Sequence, residues 1–97
     1  MRVKLKVTYG PPGKGGFEVI FDDPKYTCFG AGQELYSILY EEWDDMPERL
    51  RQLFNEVYAR HGYEALEAGI PVELSLRDLK QIDPDIECVR RSRVIRV

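Results

Sequence analysis

The sequence predicts a single α+β domain over residues 1–97, a two-layer arrangement in which two helices pack on one face of an antiparallel sheet of about four strands. Three observations predict this class. Apolar and polar residues alternate near both ends of the chain, as in strands, and apolar residues recur every three or four positions in the middle, as in helices. A length of 97 residues suits one modest core. The expected order is β-β-α-α-β-β.

A hairpin is expected first. Apolar residues alternate with Arg2, Lys4 and Lys6 through residue 9, and a second alternating run covers residues 17–21. The intervening GPPGKGG has the two glycines of a nucleotide-binding P-loop, but the required Lys-Ser/Thr pair does not follow the second glycine. An alternating strand also follows where a P-loop needs a helix. The segment therefore predicts a hairpin loop and no nucleotide site.

Two helices are expected next. The first covers about residues 31–43, because large apolar residues from Leu35 to Trp43 leave only a narrow polar stripe. Asp45 is expected to cap the second helix, which Gly62 ends. The apolar face predicted for this second helix consists of Leu50, Leu53, Phe54, Val57, Tyr58 and His61. Residues 63–68 are expected to add a short helical turn.

The remaining residues predict further strands. Val72, Leu74 and Leu76 alternate with polar residues. Residues 75–82 fit either a continued strand or a turn of helix. Asp83-Pro84-Asp85 predicts a turn, and residues 86–97 predict one or two strands.

Cys28 and Cys88 are separated by 60 positions and form no metal-binding motif, so two free thiols in a reducing cytoplasm are expected. We expect no cofactor and no bound metal. Cys28 before a helix and His61, the only histidine, form the one nucleophile–base pair that the composition permits. A small thiol enzyme using Cys28 is therefore one alternative, whereas a structural histidine and an inert cysteine are the simpler interpretation.

Charge is distributed unevenly. Residues 22–48 carry eight acidic residues against one lysine, Lys25. Aromatic residues accompany these acids, and aromatic side chains anchor many protein interfaces. The predicted partner-binding residues are Tyr36, Tyr40, Glu41, Glu42, Trp43, Asp44 and Asp45. A solvated helix end and core packing are the alternatives for the acids and the aromatics, respectively.

Basic residues near both ends of the chain form a rival surface. If the terminal strands share a sheet, Arg2, Lys4 and Lys6 would lie near Arg91 and Arg93 and could meet phosphates. These strands lack the exposed aromatics with which single-strand binders stack bases.

The sequence thus favours a small cytoplasmic, non-enzymatic interaction module, an adaptor or stoichiometric inhibitor that binds a larger basic protein. It predicts no membrane association and leaves monomer and homodimer open. Nucleic-acid binding is the second alternative.

Overall fold

The computed structural model describes residues 1–10 and 15–91, and it confirms the α+β class. The strands are β1 Arg2–Tyr9, β2 Phe17–Phe21, β3 Tyr26–Gly30, β4 Gln33–Glu34, β5 Ser37–Tyr40, β6 Ile70–Ser75 and β7 Glu87–Arg90. The helices are α1 Glu48–His61, α2 Tyr63–Ala68 and α3 Leu76–Ile82, with a 3-10 turn at Trp43–Asp45. Over these residues the strands form two antiparallel sheets rather than the one sheet expected.

The larger sheet has the order β5-β2-β1-β6 and supplies much of the core. Its register pairs Val7 with Val19 on β2 and Leu5 with Val72 on β6, so these side chains share one face. Val3, Leu5 and Val7 are fully buried there, in one cluster with the apolar residues of α1. The intervening Arg2, Lys4 and Lys6 point to the other face, which confirms the predicted strand with one solvated face.

The smaller sheet has the order β4-β3-β7, and a disulfide joins two of its strands. Cys28 on β3 lies directly opposite Cys88 on β7, and both sulfurs belong to buried residues. The Cys28 carbonyl accepts a hydrogen bond from Leu35 N–H, so it points away from β7. Cys28 and Cys88 therefore form a non-hydrogen-bonded pair, the kind in which opposite side chains are closest. The expectation of two free thiols is wrong.

Helix α1 matches the second predicted helix, with two corrections. Pro47 occupies the N-cap position without a side-chain bond, and Asp45 lies in the preceding 3-10 turn, so Asp45 is not the cap. Gly62 adopts φ 85° and its N–H caps the Tyr58 carbonyl, as expected. The residues buried on α1 are Leu50, Leu53, Phe54 and Val57. Tyr58 and His61 are exposed, so they do not belong to the buried face of α1.

The first predicted helix is wrong. Gln33–Glu34 and Ser37–Tyr40 form β4 and β5 instead, and β5 is an edge strand that pairs with β2. Ile38 lies opposite Val19 and Tyr40 opposite Phe17, so alternate residues of β5 face the core. The short apolar run of this segment fits both a helical and an alternating repeat. Pairing with the alternating apolar strand β2 therefore determined that the segment forms a strand.

The ambiguous segment after β6 is helical. Ser75 is the N-cap of α3, and its Oγ accepts a hydrogen bond from Asp78 N–H at 3.1 Å. The Asp83 carboxylate accepts from Asp85 N–H at 2.9 Å, which closes the predicted turn. Of the strands expected over residues 86–97, β7 is observed, and residues 92–97 lie outside the described range. Within residues 1–10 and 15–91, no helix combines the length and the apolar character needed to cross a membrane.

Candidate functional site

A surface groove of about 570 Å³ lies where the β1–β2 hairpin meets α1 and α2. Five aromatic rings line it, from Tyr9, Phe17, Trp43, Tyr58 and Tyr63, and we call it the aromatic groove. Asn55 and the backbone of Gly15 and Gly16 complete the described lining. The Tyr58 and Tyr63 residues remain 52% and 56% exposed. The groove therefore presents apolar surface that the described part of the chain leaves open to solvent.

Four of these rings form a continuous row. Trp43 meets Phe17 with ring centroids 5.4 Å apart, Phe17 meets Tyr9 at 5.9 Å, and Tyr9 meets Tyr63 at 4.9 Å. The first two contacts are edge-to-face, at 67° and 78°. Such geometry sets the electron-rich face of one ring against the electron-poor edge of the next, which stabilises the pair. The rings are thereby held in position before any ligand arrives.

Strand register and one buried ring position this row. Tyr9 and Phe17 are the last register pair of the β1–β2 hairpin, so their side chains share the core face. Phe54 of α1 lies beneath both, with centroids 6.4 Å from Tyr9 and 5.5 Å from Phe17. Phe54 is 2% exposed, so it anchors the row to the core.

The hairpin loop has a structural role at the groove. Gly10 N–H donates to the Gly16 carbonyl at 2.8 Å, which closes the loop as predicted. Gly16 has φ 94°, and a Cβ there would lie 2.8 Å from the Tyr40 carbonyl oxygen. Only glycine meets both conditions. Gly16 thus serves a close approach between the loop and β5.

Two tyrosine hydroxyls of the groove, those of Tyr9 and Tyr63, have a raised pKa. Burial raises the pKa of Tyr9, and the nearby Tyr58 and Tyr63 raise it further. A hydrogen-bonding interaction with the Glu67 carboxylate, together with its negative charge, raises the pKa of Tyr63. Glu67 therefore lies beside the Tyr63 end of the row, and these tyrosines keep their protons at neutral pH.

The predicted partner-binding residues do not form one helix surface. Trp43 lines the groove, whereas Tyr40 is half-buried on β5, where burial and the Asp83 charge raise its pKa. Tyr36 precedes β5 and is 70% exposed, outside the groove lining. The acidic turn, which we define as Glu41, Glu42, Asp44 and Asp45, is fully on the surface around Trp43.

The basic residues of β1 converge with others between the two sheets rather than on one shared sheet. β1 and β7 belong to separate sheets, so β7 does not meet the condition under which the basic residues of the terminal strands would share one sheet. Arg2, Lys4, Lys25 and Arg90 nevertheless line one pocket of about 150 Å³ at the junction of the sheets. Arg91 N–H donates to the Lys25 carbonyl at 2.8 Å and so lies at this junction, whereas Arg93 lies outside the described residues.

Two acids share that pocket, Asp23 and Glu73. Asp23 is buried, and its carboxylate accepts hydrogen bonds from Lys4 N–H at 2.7 Å and Lys25 N–H at 2.6 Å. Burial alone would raise the pKa of Asp23, but these bonds, that of Tyr26 N–H and the Lys4 charge outweigh it, so its pKa lies below the usual value. Asp23 therefore stays ionised and offsets part of the positive charge.

The nucleophile–base pair that the sequence permits is not assembled as a free thiol beside an imidazole. The Cys28 sulfur is bonded to Cys88, so it provides no thiolate. Cys28 also lies within β3 rather than before a helix. His61 is exposed at the end of α1, and it borders a separate groove of about 300 Å³ between α1 and β6.

Sequence reasoning missed Tyr9, Phe17 and Tyr63 as groove residues and placed Tyr58 in the core. Gly62 was the one local signal for the position of Tyr63. It directly precedes Tyr63, and its positive φ turns the chain sharply between α1 and α2. Tyr9 and Phe17 come together through strand register, and tertiary packing brings α1 and α2 to them. Comparison of the chain with protein-family models, curated proteins and solved structures finds no match.

Proposed function

We propose that this protein is a small, non-enzymatic interaction module that binds a larger protein with a basic surface, as an adaptor or a stoichiometric inhibitor. The aromatic groove and the acidic turn together form the binding surface in this proposal. The single observation that carries it is a row of pre-positioned, partly buried rings that opens to solvent at the exposed Tyr58 and Tyr63.

The chemistry of the groove supports binding rather than catalysis. Its described lining has aromatic rings, one amide side chain and glycine backbone, without a carboxylate, an imidazole or a thiol. Tyrosine and tryptophan supply large contact areas at small conformational cost, and interface hot spots are rich in both. The acids that flank Trp43 would steer a positively charged partner toward the groove.

The test compares two exposed tyrosines. Tagged wild-type protein, Tyr58→Ala and Tyr36→Ala are used to capture partners from a native-host lysate after nuclease treatment. Tyr58 lines the groove and Tyr36 does not, yet both are more than half exposed, so neither change should unfold the protein. Circular dichroism checks the fold of each.

We expect wild type and Tyr36→Ala to retain the same discrete protein and Tyr58→Ala to lose it. Removal of a hot-spot aromatic costs about 2 kcal/mol, a loss of roughly thirtyfold in affinity. Equal retention by all three proteins would refute the groove as the binding surface.

Nucleic-acid binding is the second candidate, favoured by the convergence of Arg2, Lys4, Lys25 and Arg90. It predicts capture of material that nuclease removes, and an affinity that falls with salt by about one logarithmic unit of slope per phosphate contact. Asp23 and Glu73 in the same pocket weaken the field, so this candidate ranks below protein binding.

The cytoplasmic location expected from free thiols loses that support, since disulfides persist chiefly in oxidising compartments. Thiol alkylation of the protein as isolated from its host tests the location. In a reducing compartment both cysteines would be free thiols and would react with the alkylating reagent, whereas a disulfide would not.

A further inference from the structure

We propose that the aromatic groove binds arginine or lysine side chains of a basic segment in the partner, with the cationic groups held over the ring faces. This inference rests on the proposed function and names the chemistry that the groove recognises.

The ring geometry suits a cation. The centre of an aromatic face carries negative potential, and a cation within about 6 Å of it is attracted. Phe17 stands nearly perpendicular to both Trp43 and Tyr9, so the row forms corners with ring faces on adjoining sides. A guanidinium or ammonium group in such a corner contacts more than one face. Tyr58 and Tyr63 add two half-exposed rings beside it.

The surrounding charge suits a cation as well. Asp44 and Asp45 follow Trp43 directly in the chain and are exposed, so they flank one end of the row. Glu67 lies four residues after Tyr63 on α2, so the two are neighbours on the helix surface and Glu67 flanks the Tyr63 end. No described residue that lines the groove carries a charge. Arg51, one helical turn before Asn55, is partly buried and carries the opposite charge, but it is not among the lining residues.

Other occupants fit less well. A purely apolar segment would remove the flanking carboxylates and tyrosine hydroxyls from water without offering them a partner, which costs free energy. An anionic segment would meet carboxylates at both ends of the row. A basic segment satisfies the ring faces and the carboxylates together.

The experiment uses Trp43, the only tryptophan of the chain, as its reporter. Because Trp43 lines the groove, its fluorescence responds to occupancy. The probes are three capped peptides, Gly-Arg-Gly-Arg-Gly and the same sequence with both arginines replaced by citrulline or by leucine. Citrulline keeps the planar shape of arginine and removes its charge.

We expect the arginine peptide to titrate the fluorescence and the citrulline peptide to bind about two- to fivefold more weakly for each replaced arginine. A leucine peptide that binds as tightly as the arginine peptide would overturn the proposal in favour of an apolar occupant. Absence of a response to all three peptides would also overturn it.

Matched variants locate the effect. Tyr58→Ala should weaken arginine-peptide binding, and Tyr36→Ala should not. The double change Asp44→Asn with Asp45→Asn should weaken it by about two- to fivefold per acid at low salt. The control Asp22→Asn with Glu87→Gln changes two exposed acids, one between β2 and β3 and one on β7, and should leave binding unchanged. Equal effects of the two double variants would refute recognition by the flanking acids.

The two proposals can fail separately. If Tyr58→Ala abolishes partner capture while arginine and citrulline peptides bind alike, the interaction module stands and the cation preference fails. If the arginine peptide binds selectively while partner capture is insensitive to Tyr58→Ala, the groove recognises cations but the captured partner uses another surface.

Discussion

Reduction of the Cys28–Cys88 disulfide is expected to lower the free energy of unfolding by about 4 kcal/mol. The bond closes a loop with a sequence separation of 60. In the chain-entropy account, a bond that closes a loop of this length removes roughly 14 cal/mol/K from the entropy of the unfolded chain. At 25 °C this amounts to about 4 kcal/mol, within the range of about 2–5 kcal/mol found when native disulfides are removed from small domains.

Such a loss is large because small domains are stable by only about 5–15 kcal/mol. The assay is urea denaturation followed by far-ultraviolet circular dichroism, with and without a reductant. For a urea slope of about 2 kcal/mol/M, the midpoint should fall by about 2 M on reduction. The double variant Cys28→Ala with Cys88→Ala is the control, and its midpoint should not respond to the reductant. Coincident wild-type curves under both conditions would refute the reasoning, as would rapid alkylation of the unreduced native protein.

Two further predictions concern single carboxylates. Asp23→Asn should lower the free energy of unfolding at pH 7 by about 1.5–3 kcal/mol. The change replaces the charged carboxylate, which accepts hydrogen bonds from Lys4 N–H and Lys25 N–H, with a neutral amide. The folded-state pKa of Asp23 is below its unfolded value of about 3.9, so this stability is present above that pH and is lost as pH falls through the folded-state pKa. Urea denaturation at pH 7 and near pH 2 measures it, and a gap between wild type and variant that does not shrink in acid would contradict the assignment. Glu67→Gln should move the pKa of Tyr63 back toward its usual value, followed by NMR titration of the ring signals; an unmoved pKa would show that Glu67 does not act on this hydroxyl.

The parts of the fold that sequence reasoning predicted are those with strong local signals. The β1–β2 hairpin has a strict alternation and a glycine-rich loop, and α1 has a long apolar repeat that Gly62 ends. Alternation specifies the buried face of a strand, and a helix of 14 residues repeats its pattern several times. Local sequence was sufficient in both cases.

The segment Ser37–Tyr40 shows where local sequence was insufficient. Its run of large apolar residues satisfies a helical repeat and an alternating repeat equally well. Strand β2 determined the structure of this segment, because Phe17 and Val19 on its edge pair with Tyr40 and Ile38. That edge lies about twenty positions earlier in the chain, beyond the reach of any periodicity argument.

The candidate site was harder to predict for the same reason. Trp43 was singled out because acids surround it, but the rings that accompany it come from a hairpin and two helices. The disulfide is a further example, since a spacing of 60 carries no information until β3 and β7 are paired.

The disulfide also affects how the strands of the larger sheet are connected. It turns the chain from Cys28 to Cys88 into a covalent ring, and that ring contains both β5 and β6. β1 and β2 precede the ring, yet in the sheet they lie between β5 and β6. The β1–β2 hairpin therefore lies between two strands of this covalent ring, and hydrogen bonds and side-chain packing hold it there. A cut at residues 10–16 would separate one central strand from everything else, which is the arrangement on which split-protein complementation depends.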